Sequence, residues 1–393
     1  MGLLPNNSII KLKKAGIFRP FLYTVFIIVM SSCALETEQK EMRYDYFRGK
    51  SSVKYATGFK VAYYPSYKVV EVFDNTDTTK PAQTYLLVEH GTRIPEHSPK
   101  DILVRIPLVS VSCLSTTHVP YLKSLEQVEK ISGIGNPELV LDTMLLKQIK
   151  KGWTMSITTS GQVDLEKILE SNTSVLMAYP FDKSALESLS GFDIPVVYVG
   201  EYLENSVLAR AEWIKFFALF FNKEKMANQL FEDIEHRYLI AKSKLDSVSV
   251  SKAPTVFFGS YYQDVWFAPG GQSLISGLIN DAGASYLFRD DNSTKNLTLD
   301  SEVIIDEVPE IDFWGQVITT HEIATKTDFM AADQRFLKLA KKSNTQFFFA
   351  NSKQSDYFGQ ANLEPDILLK DLGNIFYPGL FANHHFVYFQ PLN

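Results

Sequence analysis

Residues 223–246, KEKMANQLFEDIEHRYLIAKSKLD, contain neither proline nor glycine, the two residues that most often interrupt a helix. Their apolar side chains recur at spacings of three and four, which is typical of a helix with one buried face; they are Met226, Leu230, Phe231, Ile234, Tyr238, Ala241 and Leu245. A helix of this length spans roughly 36 Å, about the width of a small domain. The segment predicts one rigid helix that connects two parts of the chain.

Apolar strand-like runs alternate with amphipathic segments on both sides of this helix, which is the pattern of α/β layers. The runs before it are 108–111, 174–179 and 195–199, and those after it are 255–258, 313–318 and 346–349. We therefore expect an α/β protein of two lobes, each a mostly parallel sheet flanked by helices. The predicted boundaries are 106–205 for the N-terminal lobe, 206–250 for the connecting helices, including the backbone helix 223–246, and 251–393 for the C-terminal lobe.

The region before the first lobe has a different pattern. Residues 53–105 contain short alternating β segments separated by turn residues such as Asp74-Asn75 and His90-Gly91. They predict a small antiparallel β-hairpin layer. Residues 33–52 include the polar stretch ETEQKE at 36–41, and they predict a flexible tether.

The first 32 residues contain four basic residues and no acidic one, and FLYTVFIIVM at 21–30 is an apolar run. Two serines and Cys33 follow. This is the pattern of a secretory signal peptide over residues 1–32, and the run is shorter than the roughly 20 residues of a spanning helix. The segment before Cys33 resembles the lipobox of bacterial lipoproteins, which implies acylation of Cys33 and an exported protein, lipid-anchored to a bacterial membrane on its periplasmic or extracytoplasmic face. An uncleaved N-terminal anchor is the alternative.

Charge and motifs exclude several functions. Loss of the four basic residues in the signal peptide takes the formal net charge from −6 to −10, so we expect no nucleic-acid partner, which would require a basic surface. The sequence has no nucleophile elbow, phosphate-binding loop or H-E-x-x-H pair. Its seven histidines are scattered without metal-ligand spacing. We therefore predict no enzymatic activity, no cofactor and no metal site made by protein ligands.

Several stretches resemble the helical-backbone periplasmic binding proteins, which serve ABC importers of vitamin B12 and iron chelates. In chain order they are VSVSCLSTTH at 109–118, VDLEKIL at 163–169, RAEWIKFF at 210–217, WFAPGGQS at 266–273, DAGA at 281–284 and EPDILLKDL at 364–372. The resemblance extends from residue 106 to the C-terminus, and the hairpin layer fits a lipoprotein branch. It implies a substrate-binding protein that holds a bulky metal chelate (cobalamin, a ferric siderophore or haem) between its lobes. The resemblance further implies delivery of this chelate to a permease with its ATPase.

The resemblance also implies roles for individual residues. Glu166 and Glu302 match the glutamates, one in each lobe, that dock on permease arginines; ordinary solvated helix positions are the alternative. Ligands of α/β lobes approach the carboxyl ends of the strands, where this chain has Ser115, Thr116, Thr117, His118, Tyr179, Phe181, Tyr261, Tyr262, Trp266, Tyr357 and Phe358.

Three of these tyrosines, Tyr179, Tyr262 and Tyr357, match ligand-contacting positions of the vitamin B12-binding relative, and we expect them to face a common gap. Their rings suit a corrin, a porphyrin or a catecholate, although packing in the core is the alternative for each. His118 is a candidate contact for haem iron or a chelate, with an ordinary polar loop residue as the alternative.

The basic residues near these loops are few, namely Lys183 and Lys353, with Arg289 further along the chain. Anionic siderophores require clustered arginines or lysines. The sequence therefore favours a near-neutral ligand such as cobalamin. A surface lipoprotein that uses the same fold for adhesion or assembly, without transport, is the competing interpretation.

Overall fold

The computed structural model describes residues 45–47, 49–74, 79–248, 251–262, 265–300, 311–321, 325 and 344–392. The signal peptide, Cys33 and Glu302 lie outside these residues. Residues 45–393 form one compact unit. Within the described part of the chain, none of the helices has the length and apolar character needed to cross a membrane.

The N-terminal layer is a sheet of four strands in the order β1-β2-β3-β4: β1 (Phe59–Tyr63), β2 (Tyr67–Val72), β3 (Gln83–Glu89) and β4 (Ile102–Ile106). The first three strands pair antiparallel, as expected. The prediction of a purely antiparallel layer is wrong for β4, which runs parallel to β3. The intervening residues 90–101 are about a dozen, the length that a parallel crossover requires.

Part of the predicted tether is packed rather than free. Phe47 is 5% exposed and Ser51 is 7% exposed, although both precede the expected boundary at residue 52. The Ser51 hydroxyl hydrogen-bonds Asn228 on the long helix at 2.8 Å, and the ring of Phe47 covers the ammonium of Lys68 at 4.5 Å. An apolar ring over a buried cation explains why Phe47 is packed although the polar composition of this stretch predicted a free tether.

Residues 49–58, which we call the strap, lie against the connecting helices. The carboxylate of Glu212 accepts hydrogen bonds from three consecutive backbone amides of the strap, those of residues 54–56. Glu204 accepts from the amides of Thr57 and Gly58. Gly58 is so close to Trp213 that a Cβ there would lie 2.7 Å from the ring. Two buried carboxylates thus fix the strap in place.

The N-terminal lobe has a parallel sheet in the order β11-β10-β5-β6-β7, with a small β8–β9 hairpin beside it. Its strands are β5 (Val111–Cys113), β6 (Ile131–Ile134), β7 (Met155–Ser156), β8 (Thr158–Thr159), β9 (Gln162–Val163), β10 (Leu176–Ala178) and β11 (Val196–Tyr198). Its helices are α1 (Val119–Ser124), α2 (Thr143–Lys150), α3 (Leu165–Glu170) and α4 (Lys183–Leu186). Cys113 is fully buried in β5, and this burial raises the pKa of its thiol to about 12, so the thiol is unreactive.

Two helices follow, α5 (Val207–Leu219) and α6 (Glu224–Asp246). The predicted face of α6 is confirmed, because its buried apolar residues include Phe231, Ile234, Tyr238 and Leu245. This helix packs against α5 and against the last helix of the C-terminal lobe. It therefore contacts the elements on both of its sides, as a connector should.

The C-terminal lobe has a sheet in the order β15-β12-β17-β18-β19, parallel except for β19, and an antiparallel sheet β13-β14-β16. Its strands are β12 (Thr255–Phe258), β13 (Ser260–Tyr262), β14 (Val265–Pro269), β15 (Ser285–Tyr286), β16 (Asn296–Leu299), β17 (Phe313–Ile318), β18 (Gln346–Asn351) and β19 (Phe389–Pro391). Its described helices are α7 (Leu274–Asp281) and α8 (Pro365–Phe376). The predicted fold class of two α/β lobes is confirmed. The boundaries at 105/106, 205/206 and 250/251 stay predictions.

Candidate functional site

A cavity of about 790 Å³ lies between the two lobes. It is bordered by the segments that follow β10 and β11 in the first lobe and β12 and β18 in the second. Aromatic side chains form much of its wall: Phe181, Tyr202, Phe258, Phe267, Tyr357 and Phe358. The position at strand carboxyl ends is where α/β lobes bind ligands, and the volume falls in the range of roughly 300–1,000 Å³ of small-molecule sites.

Three of the predicted residues line this cavity. Phe181 and Phe358 are 65% and 56% exposed, so their rings face open space. Tyr357 is half-buried and packs on Phe358 and Phe389. Each of the three follows a strand of a parallel sheet, β10 or β18, as the sequence analysis expected.

Tyr179 lies behind the wall and is absent from the cavity lining. Its ring packs edge-on against Tyr202 at 4.7 Å, and its hydroxyl donates to Glu201 at 3.0 Å. The hydroxyls of Ser115 and Thr117 hydrogen-bond the same phenol. Ser115, Thr117 and Tyr179 were predicted to bind the ligand, but they lie behind the cavity wall. The hydrogen bond to Glu201 holds the phenol of Tyr179 away from the cavity.

His118 is buried among aromatic rings, at 5.2 Å from Tyr179 and 5.7 Å from Phe217 between ring centroids. Neither of its ring nitrogens has a hydrogen-bond partner in the described part of the chain. Burial lowers the pKa of His118 to about 3, so the imidazole is neutral near pH 7. Like Tyr179, it is absent from the lining of the cavity between the lobes.

The predicted residues of the β13–β14 hairpin lie outside the cavity lining. Trp266 is buried in a separate core with Phe257 and Trp314, and Tyr261 packs on Trp266 at 5.4 Å. Tyr262 is 63% exposed. Tyr179, Tyr262 and Tyr357 therefore do not face a common gap in this structure. The aromatic wall exists, but it includes Tyr202, Phe258 and Phe267, which were not predicted, in place of Tyr179 and Tyr262.

A second cavity of about 540 Å³ lies nearby and includes Thr116, another predicted residue. The segment 356–364 is the wall between the two cavities. Tyr357, Phe358, Ala361 and Asn362 line the first, whereas Asp356, Gln360 and Glu364 line the second. Leu139, Val140 and Leu141 complete the second cavity from the N-terminal lobe. Two neighbouring cavities therefore lie between the lobes. The first is lined mainly by aromatic side chains, and the second by aliphatic side chains and carboxylates.

Two cations that the sequence analysis missed line the aromatic cavity, Arg210 and Lys295. Arg210 is half-buried on α5, where Nη2 donates to the carbonyl of Tyr202 at 2.9 Å. Its Nε has no hydrogen-bond partner, and no carboxylate lies within 4.0 Å of its guanidinium, among the residues that the structure describes. The one signal in the sequence was an arginine in the first turn of a largely apolar helix, since α5 begins VLARAEW.

The two described acidic residues that line this cavity, Glu204 and Asp74, form no ion pair with Arg210. Glu204 is 4% exposed, and its carboxylate accepts from the strap amides and from the indole of Trp213 at 2.9 Å. Asp74 is exposed at the edge. A partly desolvated cation without a bound carboxylate favours an anionic ligand.

The structure describes one of the two predicted docking residues, Glu166. Glu166 is exposed in the first turn of α3, after the N-cap Asp164. None of the ion pairs described in this structure involves Glu166. Its carboxylate is accessible to a partner. Glu302 lies outside the described residues.

Two α/β lobes around an interlobe cavity are an architecture suited to binding a ligand between the lobes. The model of the periplasmic binding protein family matches residues 111–352, and the chain belongs to this family. Members of the family and its structural neighbours are substrate-binding proteins rather than enzymes. The family match, together with a relative named lipoprotein, indicates an extracytoplasmic location.

Related sequences and structures agree with this assignment. An uncharacterized lipoprotein of Methanocaldococcus jannaschii is 23% identical over 364 residues, which cover 87% of this chain and 85% of that protein. A possible iron-binding, periplasmic solute-binding protein of Staphylococcus epidermidis has a TM-score of 0.52 at 18% identity, covering 69% of this chain and 99% of that one. A periplasmic heme-binding protein of Pseudomonas aeruginosa has a TM-score of 0.51 at 14% identity, covering 73% and 95%. At these identities the two structures share the fold alone.

Proposed function

We propose that the protein is the substrate-binding component of an ABC importer and captures an anionic metal chelate, such as a ferric siderophore or haem, between its lobes. One observation carries this proposal: an aromatic-walled cavity of about 790 Å³ contains a half-buried arginine, Arg210, without a carboxylate partner among the described residues. Aromatic faces stack on catecholate or porphyrin rings. A guanidinium pairs with carboxylate or phenolate oxygens.

This ligand class replaces the preference for cobalamin. That preference counted the basic residues of the loops, whereas Arg210 lies on a helix and Lys295 on a segment far along the chain. Structures with the same fold include a siderophore-binding protein of Vibrio cholerae with Fe³⁺-Desferal bound, 16% identical with a TM-score of 0.50 over 66% of this chain and 94% of that one. This likeness is consistent with a chelate as the ligand, although at this identity it shows a shared fold only.

Delivery and anchoring belong to the same proposal. We propose that residues 1–32 are removed, that Cys33 carries the lipid and that Glu166 and Glu302 dock on the permease. The relative of Methanocaldococcus jannaschii bears the name lipoprotein, which supports the anchor. The exposure of Glu166 supports its role in docking.

A fluorescence titration tests the ligand class. A soluble form beginning at Ala34 would be titrated with haemin, a ferric catechol complex and cyanocobalamin while tryptophan emission is followed. We expect saturable quenching with the two anionic chelates and at least a tenfold weaker affinity in Arg210→Gln, the loss of one charge-assisted contact.

The matched control is Arg289→Gln, because Arg289 is exposed and does not line the cavity. It should bind like the unmodified protein. Absence of quenching with every chelate would contradict chelate capture and favour a surface lipoprotein without transport. Equal binding by Arg210→Gln would refute the anionic contact.

A further inference from the structure

A buried carboxylate lies directly behind the aromatic wall. Glu201 is 1% exposed. Its Oε1 accepts hydrogen bonds from the hydroxyls of Tyr179 at 3.0 Å and Thr117 at 3.2 Å. Its Oε2 has no hydrogen-bond partner within the described ranges of the chain. A buried carboxylate with one unpaired oxygen is costly in its charged form, so its protonation state depends on its neighbours.

The fold connects this carboxylate to the cavity. Thr117 follows β5, Tyr179 follows β10 and Glu201 follows β11, so adjacent parallel strands bring them to one sheet edge. The ring of Tyr179 packs against Phe181 at 5.1 Å and Tyr202 at 4.7 Å, and both of these rings line the cavity. A change at Glu201 is therefore transmitted to the wall through one phenol.

Arg210 is the cation next to this turn, because its Nη2 donates to the carbonyl of Tyr202, the residue that follows Glu201, at 2.9 Å. The other titratable groups around Glu201 come from α1, from the loops after β5 and β10 and from its own turn; they are Tyr121, His118, Tyr179, Tyr202 and Glu204. His118 is neutral because it is buried. Burial raises the pKa of Glu201 to about 7, while the charge of Arg210 and the hydrogen bonds from Tyr179 and Thr117 oppose that rise.

We propose that Glu201 is a positioning residue that takes up a proton from solvent when an anionic group of the ligand contacts Arg210. The inference rests on the proposed function for the nature of this ligand. Arg210 stabilises the Glu201 carboxylate, and a bound anion offsets that positive charge, so the neutral acid becomes favoured. Since binding is then coupled to proton uptake, anion affinity rises as the pH falls through neutrality.

A test without ligand decides the coupling between these two residues. The carboxylic acid band of the full-length protein in detergent would be followed by infrared spectroscopy across neutral pH. We expect a titrating band that Glu201→Gln removes and Asp182→Asn retains; Asp182 is the matched control, a neighbouring acid that accepts from the Tyr179 amide. Arg210→Gln imitates a neutralised arginine and should raise the midpoint by about one pH unit or more.

The outcomes are separable. An unshifted midpoint in Arg210→Gln, or a titration unchanged by Glu201→Gln, would overturn the inference whatever the protein binds. Conversely, a failed chelate screen with the midpoint shift intact would reject the proposed function and leave the Glu201–Arg210 coupling established. The ferric catechol complex serves as the probe for proton uptake. Its binding should consume protons in the unmodified protein and not in Glu201→Gln. Binding by the unmodified protein without proton uptake would also overturn the inference.

Discussion

Lys68 in β2 and Glu224 at the first residue of α6 form an ion pair whose side chains are 0% and 3% exposed. The ammonium of Lys68 also donates to the carbonyl of Leu219 at 2.7 Å and to Asn222 at 2.8 Å. Burial lowers the pKa of Lys68, and the carboxylate of Glu224 opposes this. The pair therefore attaches the N-terminal sheet to the start of the long helix.

Breaking this pair should be strongly destabilising. Lys68→Met leaves Glu224 buried and uncompensated, and we expect a loss of about 3–5 kcal/mol in the free energy of unfolding, measured by urea denaturation. Lys50→Met is the control, because the pair of Lys50 with Asp45 is 43% and 48% exposed and should contribute little. Equal stability of the two variants would contradict this account of the pair.

Glu212 should hold the strap. Its carboxylate is 0% exposed and accepts from the strap amides and from the ammonium of Lys215 at 2.7 Å. Glu212→Ala should speed hydrogen exchange of the amides of residues 54–56 by at least tenfold, since their acceptor is lost. Glu232→Ala, an exposed position on α6, should leave that exchange unchanged. Protected amides in Glu212→Ala would show that other contacts hold the strap.

Glu201 gives the folded protein a pH dependence of definite sign. Its pKa is about 7 in the fold, above its ordinary value of 4.5. The folded state therefore binds more protons than the unfolded state between these values, and stability falls as pH rises from about 4.5 to 7. Between these pH values the free energy of unfolding should fall by about 3 kcal/mol less in Glu201→Gln than in the unmodified protein, measured by urea denaturation at several pH values. The same slope in both proteins would contradict the assignment.

Phe181 and Phe358 should contribute to binding and little to stability, because both rings are mostly exposed in the cavity. Phe181→Ala and Phe358→Ala should each weaken haemin binding by about 2–10-fold, the value of one aromatic contact, with unchanged melting temperature. Phe192→Ala removes a similarly exposed ring outside the cavity lining and is the control. Unaltered affinity in both cavity variants would remove the aromatic wall from the binding site.

The elements that repeat a local pattern were predictable from the sequence. The spacing of Phe231, Tyr238 and Leu245 predicted α6, because a helix buries the residues on one face. The parallel pairing of β4 was not predictable, since it depends on the path of residues 90–101 rather than on the strand itself.

The cavity was predicted in position but only partly in composition. Phe181, Tyr357 and Phe358 were found because they lie in the loops after β10 and β18. Tyr179 also follows a strand, yet a hydrogen bond to the carboxylate of Glu201, after a different strand, holds it behind the wall. Arg210 was missed because a helix residue reaches the cavity only through the packing of α5. Tertiary contacts of this kind leave no local pattern.

One measurement tests the central claim most directly, namely that an anionic chelate binds between the lobes. A crystal of the protein grown with the ferric catechol complex would be analysed by anomalous diffraction at the iron absorption edge. We expect one iron site between Phe181 and Phe358, with a chelate oxygen hydrogen-bonded to Arg210. Iron bound only outside this cavity, or a chelate that does not contact Arg210, would contradict the account.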